Sequence, residues 1–293
     1  MNRCLRACAV LAPSLLLCGC MFTTRKLPVP KPPSLTQTVT GENLVIQLNQ
    51  RWAAMNTLNA TVDMQASVLK SKEGIARDYT SIRGIILMRK PGMLRVLGRI
   101  PVLGTPMFDM ATDGQDFTLR IPPKSMAYKG ANKLKKRSAS AIENMRPGFF
   151  MDALAVRGLE PDEEYMVTAD SDTIEDAQRK HLFLVPEYKL TIMRAKPGSH
   201  EKIPLRIITF HRDDLMPYEQ DVYDEHGNLE TQIRYFHYAD YGENRYPSIM
   251  MIKRPQEDLQ IMLTVEKVTV NQPLTDDQFQ IHIPEGTRIK ILE

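Results

Sequence analysis

Apolar and polar positions alternate along most of the chain beyond residue 60. In residues 61–68, and again in residues 259–265, every second side chain is apolar. A period of two predicts a β-strand with one buried face. The same signal predicts strands at residues 78–90, 93–99, 106–112, 116–121, 125–129, 181–185, 188–194, 204–212, 217–224, 229–239, 246–254 and 258–270.

Helical spacing appears in two places. Residues 42–55 bring a set of apolar side chains near one helical face: Leu44, Ile46, Leu48, Trp52 and Met55. Residues 138–145 and 147–154 have short apolar faces of the same kind and predict one or two short helices between the two groups of strands.

The order of these elements predicts an α+β fold that is mainly antiparallel β. Successive strands joined by short turns pair antiparallel. A single sheet of about 11–12 strands curls strongly, so its concave side needs a cover. We therefore expect an unclosed half β-barrel over residues 42–293, with short helices covering its concave apolar side.

The first 19 residues have the order of a secretory signal. Arg3 and Arg6 precede an apolar run of eleven residues, Ala7–Leu17, which is too short to span a bilayer as a helix. The following Leu17-Cys18-Gly19-Cys20 resembles the lipobox of bacterial lipoproteins, which implies cleavage before Cys20 and its acylation. The alternative is an uncleaved or plainly secreted N-terminus. Because Met21 is not aspartate, the lipobox resemblance implies an anchor in the outer membrane, facing the periplasm.

Residues 20–41 predict a tether between this anchor and the domain. The segment is rich in proline, which favours an extended polyproline II conformation. Fully extended, residues 21–40 would reach roughly 60 Å from the bilayer. The 4 cysteines of the chain all lie in its first 20 residues, so the exported domain uses no disulfide.

Composition and motifs argue against several classes of function. The net charge of +3 is too small to indicate a nucleic-acid partner. The motifs of serine hydrolases, zinc proteases, P-loop proteins and dinucleotide-binding proteins are missing, so no enzyme activity or cofactor is predicted. The acidic residues 170–176 lack the glycine of a calcium loop, and we interpret them as a solvated loop without a metal.

Two segments resemble the LolA/LolB superfamily. Residues 84–96, the following 101–104 and Asp113-Gly114 look like its strand–loop–strand core. The C-terminal Asn271-Gln272-Pro273-Leu274, with residues 279–286, is similar to its closing segment. The resemblance implies an open barrel with a helical lid over an apolar cavity, and a role in carrying or receiving lipoproteins. The predicted lipid anchor indicates the LolB side.

Methionine is abundant, with 17 residues against 9 phenylalanines and 1 tryptophan. Flexible thioethers suit a cavity that accepts acyl chains of varying shape, although methionine also fills ordinary cores. The side chains that we expect to line such a cavity are Trp52, Met64, Ile86, Met88, Met110, Phe150 and Met262.

The turn between strands 93–99 and 106–112 is unusually apolar. Ile100, Val102 and Leu103 lie where a rim turn is normally polar, so the turn either packs inward or is exposed for a reason. The family resemblance implies a membrane-insertion loop here, with Leu103 as the residue that engages lipid.

One basic cluster comes before the predicted helices. It contains Lys129 and the four residues that we consider for anionic lipid headgroups: Lys133, Lys135, Lys136 and Arg137. A solvated loop without a function is the alternative interpretation.

The sequence therefore favours an outer-membrane lipoprotein that binds acyl chains and takes part in lipid or lipoprotein transfer. Its expected partners are the membrane, acyl chains and a periplasmic carrier protein, and we expect a monomer. A structural or assembly lipoprotein that acts through protein contacts is the main alternative, and a periplasmic hydrolase is a third.

Overall fold

The computed structural model of the protein describes residues 25–29, 36–70, 73–133, 138, 140–176 and 178–292. The chain divides into a smaller unit, residues 1–34 with 171–185, and a larger unit, residues 35–170 with 186–293. In the smaller unit, Arg25 donates hydrogen bonds to Glu175 at 2.6 Å and to the carbonyl of Arg179 at 2.8 Å. The predicted signal segment and Cys20 lie outside the described residues.

Three α-helices lie in the described part of the chain: α1 (Gly41–Ala54), α2 (Ala141–Asn144) and α3 (Gly148–Leu154). Helix α1 begins at the predicted place because the Thr40 hydroxyl caps it, accepting a hydrogen bond from the Asn43 amide at 3.2 Å. Its buried face contains Leu44, Val45 and Leu48, whereas Ile46 is 44% exposed, so the prediction that Ile46 shares a face with Leu44 and Leu48 is wrong. None of the helices in these ranges is long and apolar enough to cross a membrane.

The described strands form one sheet of 15. Their bounds are β1 (Thr57–Lys70), β2 (Ile75–Asp78), β3 (Ile82–Arg89), β4 (Met93–Arg99), β5 (Pro106–Thr112), β6 (Asp116–Ile121), β7 (Met126–Ala131), β8 (Glu164–Glu175), β9 (Leu182–Ala195), β10 (Lys202–His211), β11 (Pro217–Tyr223), β12 (Leu229–Tyr241), β13 (Asn244–Arg254), β14 (Leu259–Val270) and β15 (Arg288–Leu292).

Strand β1 joins the two halves of the sheet. Consecutive strands pair antiparallel from β3 to β7 and from β9 to β14. On one side β1 pairs with β3, and on the other it pairs with β14. The two edge strands of the sheet are β15 and β8. They do not pair with each other, so the sheet is an open half-barrel.

The C-terminal segment reaches the far edge of the sheet by crossing its outer face. Arg89 donates to the carbonyl of Leu274 at 2.7 Å, and Arg95 donates to that of Gln278 at 2.9 Å. Arg95 also pairs with the buried Asp109 at 2.8 Å. After this crossing, β15 pairs parallel with β7.

The inner face of the sheet carries the main core. Strand β1 contributes Leu58, Val62 and Met64, and α3 places Phe149, Phe150, Ala153 and Leu154 against the same cluster. A second cluster forms where Leu44 and Leu48 of α1 pack against β9 and β10. The predicted cover of the concave side by helices is therefore confirmed.

The predicted strand count of 11–12 is too low. Strand β8 was missed, and the acidic residues 170–175 that we interpreted as a loop belong to it. Strand β15 was also missed, and so was β2, because residues 78–90 were predicted as one strand. The predicted break between residues 185 and 188 does not exist, because β9 is continuous through Pro186.

The last residues of the predicted tether are fixed to the larger unit. The Gln37 amide donates to the carbonyl of Arg212 at 2.6 Å, and the Val39 amide donates to the Tyr188 hydroxyl at 3.3 Å. Arg212 in turn donates to the Thr38 hydroxyl at 3.0 Å. Residues 37–39 therefore belong to the larger unit and not to an extended tether.

Candidate functional site

An apolar cavity of about 420 Å³ lies between the inner face of the sheet and the segment that carries α2 and α3. Its sheet side comes from β1, β3, β5, β6 and β14, and its helical side from Ile142, Met145 and Phe150. The apolar side chains from the sheet are Met64, Ala66, Val68, Ile82, Met107, Phe108, Met110, Leu119, Ile121, Leu259 and Ile261. The volume is within the usual range for small-molecule pockets.

Two glycines shape the sheet next to this cavity. Gly84 of β3 lies opposite Gly98 of β4 in the ladder. A Cβ added to Gly98 would lie 2.5 Å from the Phe108 ring, and one added to Gly84 would overlap the Met64 methyl group. The missing side chains thus leave a depression into which Phe108 and Met64 fold, and both also line the cavity.

The structure brings together three of the predicted cavity residues. Met64, Met110 and Phe150 line the cavity from β1, β5 and α3. Ile86 and Met88 lie on the same inner face, but both are fully buried in the core and do not line the cavity. The inner face is therefore partly filled by side chains and partly hollow.

Two predicted residues do not reach this cavity. Met262 is 38% exposed, because it alternates on β14 with the buried Ile261 and Leu263 and so points away from the inner face. Its predicted position is wrong. Trp52, at the end of α1, lines a different cavity. The Lys90 ammonium lies 3.8 Å from the centre of its ring.

Polar groups are confined to the margin of the cavity. Tyr79, Thr80 and Lys124 are exposed and mark its mouth. The buried Glu257 pairs with Arg254 at 3.2 Å, so its charge is compensated. Among the described residues, no three His, Cys, Asp or Glu side chains form a group that could hold a metal ion. This chemistry suits an apolar ligand that needs only shape and burial.

The apolar turn lies beside the mouth of the cavity. Residues 100–105 connect β4 to β5, and Met107 and Phe108 at the start of β5 line the cavity. Val102 is fully exposed and Leu103 is 75% exposed, which excludes inward packing of the tip, while Ile100 is half-buried.

The backbone of the turn holds this tip outward. The Gly104 amide donates to the carbonyl of Ile100 at 3.0 Å, and the Ile100 amide donates to that of Thr105 at 2.9 Å. Val102 has φ +67, an uncommon value for a β-branched residue that the surrounding hydrogen bonds maintain. The exposed apolar tip is therefore a defined feature of the fold.

The basic cluster can be followed only in part. Lys133 is exposed and lies 3.4 Å from Glu225, which is also exposed. Such a surface pair contributes little to stability. Lys135, Lys136 and Arg137 lie outside the described residues, so their proposed contact with anionic headgroups stays a prediction.

Comparison with known proteins adds to this geometry. No family profile matches the sequence, and no curated protein matches it. Among solved structures, a LolA superfamily protein from Nitrosomonas europaea superposes with a TM-score of 0.51 at 13% identity, covering 83% of this chain and 99% of that one. The chain has a LolA-like fold. A DUF1329 family protein from Desulfovibrio piger has a TM-score of 0.50 at 13% identity, covering 82% of this chain and 95% of that one.

The LolA-like fold confirms the architecture that the sequence resemblance implied. At 13% identity the two comparisons support the fold alone. They do not distinguish a LolA-like from a LolB-like role. Sequence reasoning missed Ile82, Phe108 and Leu119 as cavity residues. The signal for the first two was the glycine pair, since each glycine leaves space for a large neighbour.

Proposed function

We propose that this protein is a lipoprotein, anchored on the periplasmic side of the outer membrane, that takes acyl chains into its apolar cavity. In this role it takes part in the transfer or localisation of lipids or lipoproteins. It is a binding protein and not an enzyme. The observation that carries the proposal is the cavity of about 420 Å³, whose charged and polar groups are limited to its margin.

The walls of the cavity suit acyl chains for a physical reason. Burial of apolar surface contributes about 25 cal/mol per Å² and requires no directional partner, so chains of different length and unsaturation can share one site. Met64, Met107, Met110 and Met145 adapt to such variation because the thioether side chain is flexible. Phe108 and Phe150 supply rigid surface in the same cavity.

The exposed turn supports a role in transfer. An acyl chain that leaves the mouth must enter a bilayer without crossing water, and an apolar loop beside the mouth can hold the protein against that bilayer. Val102 and Leu103 supply this surface. Burying one such side chain contributes about 1.5–3 kcal/mol, enough to orient the domain without anchoring it.

The anchor follows from the sequence pattern around Cys20. Two or more acyl chains on one cysteine give stable attachment, whereas one chain gives only marginal binding. A protein attached in this way acts as a receiver at the membrane, so it needs a soluble periplasmic carrier as its delivering partner.

A matched pair of substitutions on β1 tests the cavity. Ala66→Phe places a ring in the cavity, whereas Gln65→Phe places the same ring on the opposite, exposed face of the same strand. We expect Ala66→Phe to weaken binding of a fluorescent acyl probe at least tenfold and Gln65→Phe to leave it unchanged. Both variants should retain the far-UV spectrum and cooperative melting of the parent protein.

Equal binding by the two variants would show that the probe binds elsewhere. That result would favour a structural or assembly role through protein contacts and would overturn the proposal.

A further inference from the structure

A second apolar cavity, of about 340 Å³, lies at the other end of the inner face. It is bounded by the end of α1, the end of α3 and the turn between β12 and β13. The two cavities share no lining residue. Phe150 at the start of α3 faces the first, and Ala153 and Leu154 at its end face the second.

Aromatic rings form much of the wall of this second cavity, and their hydroxyls are bonded to backbone carbonyls. The Tyr246 hydroxyl donates to the carbonyl of Leu154 at 2.7 Å, and the Tyr238 hydroxyl donates to that of Pro217. The Tyr235 hydroxyl lies 3.4 Å from the carbonyl of Asp152. Because these hydroxyls are satisfied by backbone, the rings present apolar surface, and Trp52 adds more.

One cation lines this surface without a matching anion. Arg51 is half-buried and donates to the carbonyl of Leu215 at 2.7 Å, with Gln47 at 3.5 Å. In the part of the chain that the structure describes, no carboxylate lies within ion-pair distance of it. Asp214 nearby is already bonded to the Tyr218 hydroxyl at 3.1 Å.

The position of Arg51 has an energetic consequence. Its place in the last turn of α1 offsets part of the cost of burying the charge. Burial still lowers the pKa of the guanidinium, which means that its surroundings disfavour the charged form. The nearby charge of Asp214 offsets part of this cost without forming an ion pair, and a bound anion would offset more of it.

The rim of the cavity is polar and open to solvent. Glu243 on the turn between β12 and β13 is exposed, as are Asn244 and Arg245 at the start of β13, and Arg245 lies 3.5 Å from Asp214. A ligand can therefore enter past this turn.

We infer that the second cavity binds a free fatty acid, with its carboxylate at Arg51 and its chain between Trp52 and the tyrosines. A carboxylate is the smallest anionic headgroup of a lipid, which matters because Arg51 lies within the cavity wall. Guanidinium and carboxylate groups form strong charge-assisted hydrogen bonds. This site is independent of the acyl-chain cavity of the proposed function.

Photolabelling tests the inference in the full-length protein in its membranes. The probes are a palmitic acid that carries a diazirine and the matching fatty alcohol, and labelled peptides are mapped by mass spectrometry. We expect the acid to label the segments that contain Trp52 and residues 235–247 at least tenfold more strongly than the alcohol, as expected for one charge-assisted hydrogen bond. Arg51→Gln should abolish this preference, and Arg51→Lys should retain most of it.

A second pair of variants keeps the test valid if Arg51→Gln does not fold. Asn244→Glu adds a negative charge at the rim and should reduce acid labelling. The control Asn244→Gln introduces a side chain of the same size without the charge and should not reduce it. Equal labelling by acid and alcohol in these segments, or equal labelling of the two Asn244 variants, would overturn the inference. Labelling near Met64 and Met110 reports separately on the acyl-chain cavity.

Discussion

Leu103→Glu separates a membrane-contacting loop from an ordinary turn. Leu103 is 75% exposed and Val102 beside it is fully exposed, so the fold gains little from either side chain. We therefore expect the substitution to change the free energy of unfolding by about 0.5 kcal/mol or less, as for most surface positions. The variant should remain folded and loaded with cargo.

The expected loss at the membrane follows from the same exposure. Full burial of a leucine side chain contributes about 1.5–3 kcal/mol, and three quarters of that, about 1–2 kcal/mol, remains available to lipid. One or two kcal/mol corresponds to a factor of about 5–30 in an equilibrium constant. Placing a carboxylate in the interface adds a further cost, so vesicle affinity should fall by at least this factor.

The assay measures transfer of a fluorescent acyl probe from a chain that begins at residue 21 to phosphatidylcholine vesicles. Neutral vesicles remove charge repulsion as an explanation. Thr105→Glu is the matched control, because it adds the same charge to the same turn without removing an apolar side chain. Leu103→Glu should slow transfer by about the same factor of 5–30, and Thr105→Glu should not. Equal rates in the two variants, or unfolding of Leu103→Glu, would refute the reasoning.

Three further predictions concern the anchor, the sheet and the polar surroundings of α3. Cys20→Ser should prevent acylation and move the protein out of the outer-membrane fraction, as measured by membrane fractionation. Gly98→Ala should destabilise the protein by about 1–3 kcal/mol in urea titrations because the new methyl group would lie 2.5 Å from the Phe108 ring and 2.8 Å from Ile82. Gly84→Ala should cost less, because its nearest contact is the flexible Met64 side chain and the stiffer Val62 is 2.9 Å away. Burial raises the pKa of Asp152, so the native state holds the carboxyl proton more tightly than the unfolded chain does. The free energy of unfolding therefore falls as the pH rises from the pKa of Asp152 in the unfolded chain to its higher pKa in the native state. Asp152→Asn should therefore raise the free energy of unfolding at pH 7 and have little effect near pH 3.

Each of these predictions has a result that contradicts it. Wild-type partitioning of Cys20→Ser into outer membranes would exclude lipid anchoring at this residue. A smaller loss for Gly98→Ala than for Gly84→Ala would mean that the glycine pair does not hold the Phe108 ring. A stabilisation by Asp152→Asn that is equal at both pH values would show that ionisation of this carboxyl does not oppose folding.

Strands with regular alternation could be predicted from the sequence, and for some of them the ends could be predicted as well. β4, β5 and β6 have the predicted bounds: buried and less buried positions alternate along β4 and over the first four residues of β6, and Gly or Pro marks the turns around all three strands. Strand β8 could not be predicted in this way, because nearly all of its residues are exposed and no apolar face marks it.

Pairings between segments that are distant in the sequence could not be predicted from the local pattern of apolar and polar residues. β15 exists because the C-terminal segment crosses the outer face of the sheet and meets β7, a contact that no local periodicity encodes. Pro186 suggested a break in β9, but it lies just beyond the last pair of the ladder with β10, where a missing amide costs nothing.

The cavity could be predicted in kind but only partly in its residues. The alternation that identified β14 also places Met262 on the face opposite Ile261, so attention to phase would have excluded it. Ile86 and Met88 have the correct phase, yet the local packing density decides that they fill the core while Met64 and Met110 border a hollow. Packing density depends on tertiary contacts, which the pattern of one strand does not contain.

The central claim is that the cavity under α2 and α3 holds acyl chains, and mass spectrometry of organic extracts tests it most directly. The chain that begins at residue 21 is purified from the periplasm, extracted and compared with its Ala66→Phe and Gln65→Phe variants at equal protein amounts. We predict co-purifying acyl lipid in the parent protein and in Gln65→Phe, and at least tenfold less in Ala66→Phe. Folded parent protein without acyl lipid, or equal lipid in all three proteins, would contradict the account.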